Sequence, residues 1–368
     1  MAEPLKLMYN QTFLQNFATK IQSVYPPFDG KTFIRQILNE EWESLELKAR
    51  MRRISTILGT FLPSNFIEAL HILYKINHDC VGFPYLIFPD FVEVYGQHAD
   101  DYEAAIDALE RFTSKSSSEF AIRSFLLREP ERTMTHMRQW AISEDEHVRR
   151  LASEGCRPRL PWGQALPMFK ADPAPVLEIL EQLKADPSLY VRKSVANNLN
   201  DIAKDHPEIV KQIASDWYGS HPFTDWIVLR GCRSLMKKAD PDMLQLFGYT
   251  SLELGTDTDS IQQAELHIEP KQIAIGESVD LEYRFVTRPG ETMRVRIEYA
   301  IDFVKASGKA SRKIFRLTDR VLEGGTSLTG TKKHRFADLT TRRHYPGEHR
   351  ILLMINGQPY AEDLLVVH

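Results

Sequence analysis

Cysteine is scarce. The 368-residue chain holds three, Cys80, Cys156 and Cys232, each 76 residues from the next, with no CxxC pair and no metal-ligand spacing. That excludes a disulfide-framed fold and a structural zinc site, and a reducing, cytoplasmic setting is expected. Long apolar runs are also missing: nothing approaches the roughly 18 consecutive apolar residues of a membrane helix, so no membrane partner is expected. The start, MAEPLKLMYNQTFLQNF, has neither the charged head nor the apolar core of a signal peptide. A large charge surplus is lacking as well, since 46 Lys+Arg face 50 Asp+Glu for a net charge of −4. On that sum alone nothing points to nucleic acid. What is present, 43% apolar and 26% charged residues, is ordinary for a soluble globular chain, and the length predicts two or three domains.

The net charge hides a gradient. Residues 261–368 carry 17 basic against 14 acidic side chains, whereas residues 1–260 carry 29 against 36. The basic residues of the last segment cluster as Arg312, Lys313, Arg316 and Arg320, then Lys332, Lys333 and Arg335, then Arg342 and Arg343. They read either as solvated strand faces and loops or as a phosphate-facing surface.

Two periodicities divide the chain. Up to about residue 250, segments such as DDYEAAIDALERF, ERTMTHMRQWAI and PVLEILEQLK place apolar residues at helical spacing. Pro130, Pro173, Pro187, Pro207 and Pro222 sit near helix starts, where a missing N–H costs little. From about residue 262 the period becomes two, in LHIEP, SVDLEYRFV, MRVRIEYAIDFV, RKIFRLT, HRFADL, HRILLMING and AEDLLVVH. About seven short strands separated by Gly, Pro and polar turns predict a β-sandwich of immunoglobulin-like architecture, without the Cys…Trp…Cys hallmark. The expected organisation is multidomain: an all-α domain over 1–255 and an all-β sandwich over 262–368.

The helical part repeats itself. Glu129-Pro130 returns as Asp172-Pro173 and Val148-Arg149-Arg150 as Val191-Arg192-Lys193, both 43 residues on. Looser copies are SSEFAIRSFL and HPFTDWIVLRGCRSLMKK. Helix pairs repeating at about 40 residues predict a HEAT-like solenoid, whose concave face suits an extended partner such as a peptide or a nucleic-acid duplex. Arg149 and Arg192 are expected to brace neighbouring repeats.

One stretch breaks the repeat: Gly155-Cys156-Arg157-Pro158-Arg159-Leu160-Pro161-Trp162-Gly163. It follows Glu154, a carboxylate at a helix C-terminus, where the dipole disfavours it. Two arginines flank a stiff proline, and a large aromatic sits in a loop. The string VRRLASEGCRPRLPW, followed by YVRKSVANNLNDIAKDHPEIV and TDWIVLRGCRSLMK, resembles the HEAT-repeat DNA glycosylases of bacterial alkylation repair, the AlkC/AlkD superfamily. The resemblance spans roughly residues 1–250, and the appended sandwich resembles the AlkC branch with a C-terminal immunoglobulin-like domain.

That resemblance implies hydrolysis of the N-glycosidic bond of an alkylated base, such as 3-methyladenine or 3-methylcytosine, in double-stranded DNA. It also implies action without a base-binding pocket, by a monomer that needs no metal and no cofactor. The sugar passes through an oxocarbenium-like state, which carboxylates stabilise. Glu154 aligns with Asn197 in the repeat and Asp201 lies one turn beyond, so both carboxylates could reach one concave surface; Glu119, expected to open the preceding second helix, is the third candidate. Trp162 is the candidate aromatic wall, Arg157 and Arg159 the candidate phosphate contacts, and Phe120 a possible DNA contact, with Lys332, Lys333 and Arg335 on the sandwich. Each residue has a plainer reading: a helix-end ion pair for Glu154, a solvated helix residue for Asp201, a first-turn Glu after a serine cap for Glu119, core packing for Phe120 and a loop plug for Trp162. The tryptophan pair framing one aspartate in the AlkD branch has no full counterpart here. The competing function is a non-catalytic HEAT scaffold that binds DNA or protein.

Overall fold

The structure, a computed structural model, describes residues 4–252, 254–256, 259–290, 292–338 and 343–368. The chain divides into two compact units, Met1–Val210 with Asp216–Gly231, and Lys211–Ser215 with Cys232–His368.

The first unit is built of stacked helix pairs. Pro130–Trp140 precedes Glu146–Gly155, and Ala174–Leu183 precedes Leu189–Ile202. The 43-residue offset shows in the caps: Asp145 accepts from the His147 N–H at 2.8 Å, and Ser188 Oγ accepts from the Tyr190 N–H at 3.2 Å. Each cap satisfies an N-terminal donor that the helix itself cannot. The bracing arginines repeat too. Arg149 Nη1 donates to the Ser143 and Glu144 carbonyls at 2.9 Å each, and Arg192 Nη1 to those of Asp186 and Pro187 at 2.8 Å each. Arg149 adds a bidentate grip on Asp186 of the next turn, while Arg192 lies 3.9 Å from the Phe223 ring centroid. Val148, Leu151, Val191, Val195 and Leu199 turn inward from the second helices and are buried.

From Cys232 onward the second unit runs through the helices Arg233–Lys237 and Pro241–Leu246 and then, among the described residues, eight strands. They are β1 (Ile261–Glu269), β2 (Gln272–Ile273), β3 (Ser278–Thr287), β4 (Met293–Val304), β5 (Ala310–Leu322), β6 (Ser327–Arg335), β7 (Gly347–Ile355) and β8 (Gln358–Val367). One sheet runs β1-β3-β6, the other β2-β8-β7-β4-β5. Their facing sides enclose Val279, Leu281, Phe285, Ile297, Ile301, Ile351 and Leu353. The sequence break near 255–262 marks the start of the strands, whereas compact packing begins earlier, at Cys232. Arg294 Nη1 donates to the Phe247 carbonyl at 2.6 Å, and Asn356 Nδ2 to that of Thr250 at 2.8 Å, which ties the helical lead-in to β4 and the β7–β8 turn. That turn needs glycine: Gly357 has φ +80°, and a Cβ there would lie 1.8 Å from that of Ala239.

One strand is displaced from its sequence-based position. HRFADL was expected to be extended, yet the strand is Ser327–Arg335. It is an edge strand, rich in Ser, Thr and Lys and mostly exposed, so it has little apolar alternation to betray it.

Candidate active site

Glu154 lies in the last turn of Glu146–Gly155, and Asp201 in the last turn of Leu189–Ile202. Both carboxylates therefore face the unfavourable end of a helix dipole. Both are buried, Glu154 5% and Asp201 2% exposed, so Asp201 is not a solvated helix residue. The two helices are joined by Ser153 Oγ donating to Ser194 Oγ at 2.7 Å and by Asn198 Nδ2 donating to the Ser153 carbonyl at 2.8 Å.

A single guanidinium answers both carboxylates. Arg157 Nη1 lies 2.5 Å from Glu154 Oε1, while its Nε and Nη2 lie 2.9 and 2.8 Å from Asp201 Oδ2. Burial works against the Arg157 charge, but Glu154 and Asp201 outweigh it and hold the pKa above its ordinary value. The pairing extends in both directions. Arg150 Nη2 is 3.8 Å from Glu154 and 2.7 Å from Glu119 Oε2, and Lys204 Nζ is 2.9 Å from Asp201 Oδ1. The result is an alternating chain, Glu119–Arg150–Glu154–Arg157–Asp201–Lys204, in which three carboxylates meet three cations. It passes from a half-exposed lysine through a buried centre to Glu119, whose carboxylate also accepts from Ser117 Oγ at 2.9 Å.

Two placements correct the sequence reading. Arg157 was expected to meet phosphates, but its donors are engaged by carboxylates and its side chain is 7% exposed. Glu119 does not open a helix; it stands in a turn just ahead of Ile122–Arg128. Arg159, two residues after Arg157, diverges from it across Pro158. It forks onto Asp205 at 3.1 and 2.6 Å and stays partly exposed.

Trp162 is not the plug of its loop. Cys156 and Leu160 fill the interior, while Trp162 is 61% exposed. Its φ of +64° is a region that a bulky residue rarely adopts. Phe120 is half-buried, with Lys48 Nζ 4.8 Å from its ring centroid. Trp226 is half-buried with Arg230 5.4 Å from its ring.

Sequence reasoning missed Arg150, Lys204, Lys48 and Arg123. Only Arg123 carried a signal, a charged residue inside the apolar run AIRSFLL. In the structure it is 1% exposed. Burial pulls its pKa down to about 10.

On the sandwich, Lys332, Lys333 and Arg335 are exposed on β6. Strand alternation places Lys333 and Arg335 on one face and Lys332 on the other, so the trio is not one patch. Lys333 lies 3.6 Å from Asp280, and Arg335 Nε donates to the Gly276 carbonyl at 3.0 Å. Arg312 forks onto Asp302 at 2.8 and 2.7 Å, and Arg316 pairs with Asp319 at 3.0 Å. Arg342 lies outside the described residues. Among the described residues no group of three or more His, Cys, Asp or Glu is placed to hold a metal ion.

Comparison with known proteins agrees with this layout. A family model described as "DNA alkylation repair enzyme" matches residues 92–216, the span that contains the whole ion chain and Trp162. A second, described as "Uncharacterised protein YhaZ, C-terminal Ig-like domain", matches residues 262–368. The chain is 46% identical over 354 residues, 96% of each chain, to the uncharacterized protein YhaZ of Bacillus subtilis (strain 168). Among solved structures, the alkylpurine DNA glycosylase AlkC of Pseudomonas fluorescens, bound to DNA containing an abasic site analog, superposes with a TM-score of 0.93 at 37% identity over 100% of both chains. The chain therefore belongs to the AlkC branch of the HEAT-repeat alkylpurine DNA glycosylase family, the branch that carries a C-terminal immunoglobulin-like domain.

Proposed function

We propose that this chain is a DNA glycosylase of base excision repair that hydrolyses the N-glycosidic bond of cationic alkylated bases, such as 3-methyladenine and 3-methylcytosine, without flipping the base into a pocket. Alkylation at a ring nitrogen gives the base a positive charge and makes it a good leaving group, so protonation by a general acid is dispensable. The remaining barrier is the developing charge on the sugar. Glu154 and Asp201 supply fixed negative charge to it, and one of them orients the attacking water. Trp162 offers an aromatic face to the sugar or backbone. Arg159 exchanges Asp205 for a phosphate, and Phe120, Lys332, Lys333 and Arg335 add contacts along the duplex.

The observation that carries this reading is the position of Arg157. A planar, delocalised cation rests between two buried carboxylates, 2.5 and 2.8 Å away, which favours a site tuned for a planar cationic sugar. Arg157 accordingly holds the two carboxylates in place. The likeness to AlkC over the full chain supports the same reaction class.

The test is release of free base from methylated duplex DNA, with undamaged duplex beside it. Wild-type protein releases 3-methylated base from the first and none from the second. Glu154→Gln and Asp201→Asn each lower the single-turnover rate by about 10²- to 10³-fold, the cost of removing one preorganised electrostatic group. Full activity in both variants refutes the carboxylate assignment. No release by wild-type protein, with equal binding of both duplexes, favours the scaffold reading.

A further inference from the structure

We propose that Arg123 and Lys48 are positioning residues that clamp the 155–166 loop and hold Trp162 outward in its strained backbone conformation. The inference rests on the glycosylase reading for the purpose of the clamp, and on geometry alone for its existence.

Trp162 combines two costly features, a left-handed φ of +64° and an indole 61% exposed. A conformation of that kind is unfavourable for a bulky side chain and persists only where surrounding contacts over-determine it. Here the contacts are main-chain carbonyls taken up by two cations. Arg123 Nη1 donates to the carbonyls of Gly155 and Arg157 at 2.9 Å each, and Nε to that of Gln164 at 2.5 Å. Lys48, from the helix Leu47–Phe61, donates from Nζ to the Trp162 carbonyl at 2.8 Å. The loop closes on itself as well, through Gly163 N–H to the Leu160 carbonyl at 3.0 Å and Leu166 N–H to the Pro158 carbonyl at 3.2 Å.

Arg123 is a conspicuous expense for a fold. It is fully buried and forms no ion pair with a carboxylate among the described residues, so its direct partners are carbonyl dipoles, with Glu154 and Asp201 adding only a longer-range attraction. An apolar residue would fill the same space without that desolvation cost. The fork does what an apolar side chain cannot: it fixes both ends of the loop, on either side of the Arg157 and Trp162 positions. Lys48 fixes the middle, and the same ammonium sits over Phe120, so both aromatic candidates share one anchor.

The experiment uses the full chain carrying Lys48→Met, whose parent side chain is on the surface, beside Arg123→Lys, which keeps the charge but loses the fork. Amide hydrogen exchange is followed over peptides spanning 155–166, together with melting temperature and single-turnover base release. The clamp predicts faster exchange in 160–166 for Lys48→Met, with unchanged exchange elsewhere and an unchanged melting temperature. It predicts a single-turnover rate reduced about 10- to 100-fold with little change in DNA affinity, as a misplaced aromatic wall would give. Lys48→Arg, which keeps a donor, restores both. Wild-type exchange in 160–166 for Lys48→Met overturns the proposal. So does a loss confined to DNA affinity with a salt slope lower by about one, which marks Lys48 as a plain phosphate ligand. If wild-type protein releases no base, the glycosylase reading fails while the exchange result still decides the clamp.

Discussion

Replacing Arg157 by methionine isolates the central link of the ion chain. Methionine keeps much of the apolar stem and removes the donors that meet Glu154 at 2.5 Å and Asp201 at 2.8 Å. Removing one partner of a buried ion pair costs about 3–5 kcal/mol, because the remaining charge stays buried without compensation. Arg150, 3.8 Å from Glu154, and Lys204, 2.9 Å from Asp201, still provide partial answers. The lower end, about 3 kcal/mol, is therefore expected, and at about 2–4 °C per kcal/mol for a unit of this size the helical transition drops by roughly 6–12 °C. Thermal melts followed at 222 nm measure it, with Arg159→Met, a partly exposed pair, as a control that changes little. An Arg157→Met protein as stable as wild type refutes the role assigned to the guanidinium.

Two other outcomes follow from the second unit. Replacing Lys332, Lys333 and Arg335 together by alanine should lower the salt dependence of DNA binding, by about 0.9 in slope for each phosphate no longer neutralised; an unchanged slope leaves these residues as guards of an exposed sheet edge. His349 is fully buried against Phe303 and Phe336, and burial lowers its pKa from the usual value of 6.5. The unfolded chain then takes up a proton that the folded one resists, so sandwich stability should fall as pH drops below about 6.5. Urea midpoints at pH 7.5 and 5.5 should differ less in His349→Gln than in wild type, and equal differences would rule out this histidine as the cause.

Much of the fold was legible because local rules repeat. The 43-residue offset that matches Val148-Arg149 to Val191-Arg192 also matches Asp145 to Ser188 as caps, and the carbonyls of 143 and 144 to those of 186 and 187 as bracing points. Short-range chemistry of this sort is written in one segment at a time. The strand Ser327–Arg335 was misplaced for the opposite reason. An edge strand with a solvated face has no apolar period, and its register with β3 is set by pairing that no local pattern records.

The site shows the same division more sharply. Three residues of sequence, Arg157-Pro158-Arg159, look like one basic patch, yet they meet two carboxylates four residues apart, Asp201 and Asp205. One arginine turns inward to a buried pair and the other stays at the surface, because the intervening proline stiffens a chain that is passing from interior to exterior. Nothing local distinguishes them; burial decides, and burial depends on where the loop returns to the helix about 45 residues away. Global charge was misleading on the same grounds. The net value of −4 counts Glu119, Glu154 and Asp201 against the total, although each is answered by a cation within 4 Å. Glu154 and Asp201 are held in place by Arg150, Arg157 and Lys204, so their preorganisation is the quantity the sequence left unwritten. On the proposed glycosylase reading, that makes the three cations, as much as the carboxylates, the place where rate is set.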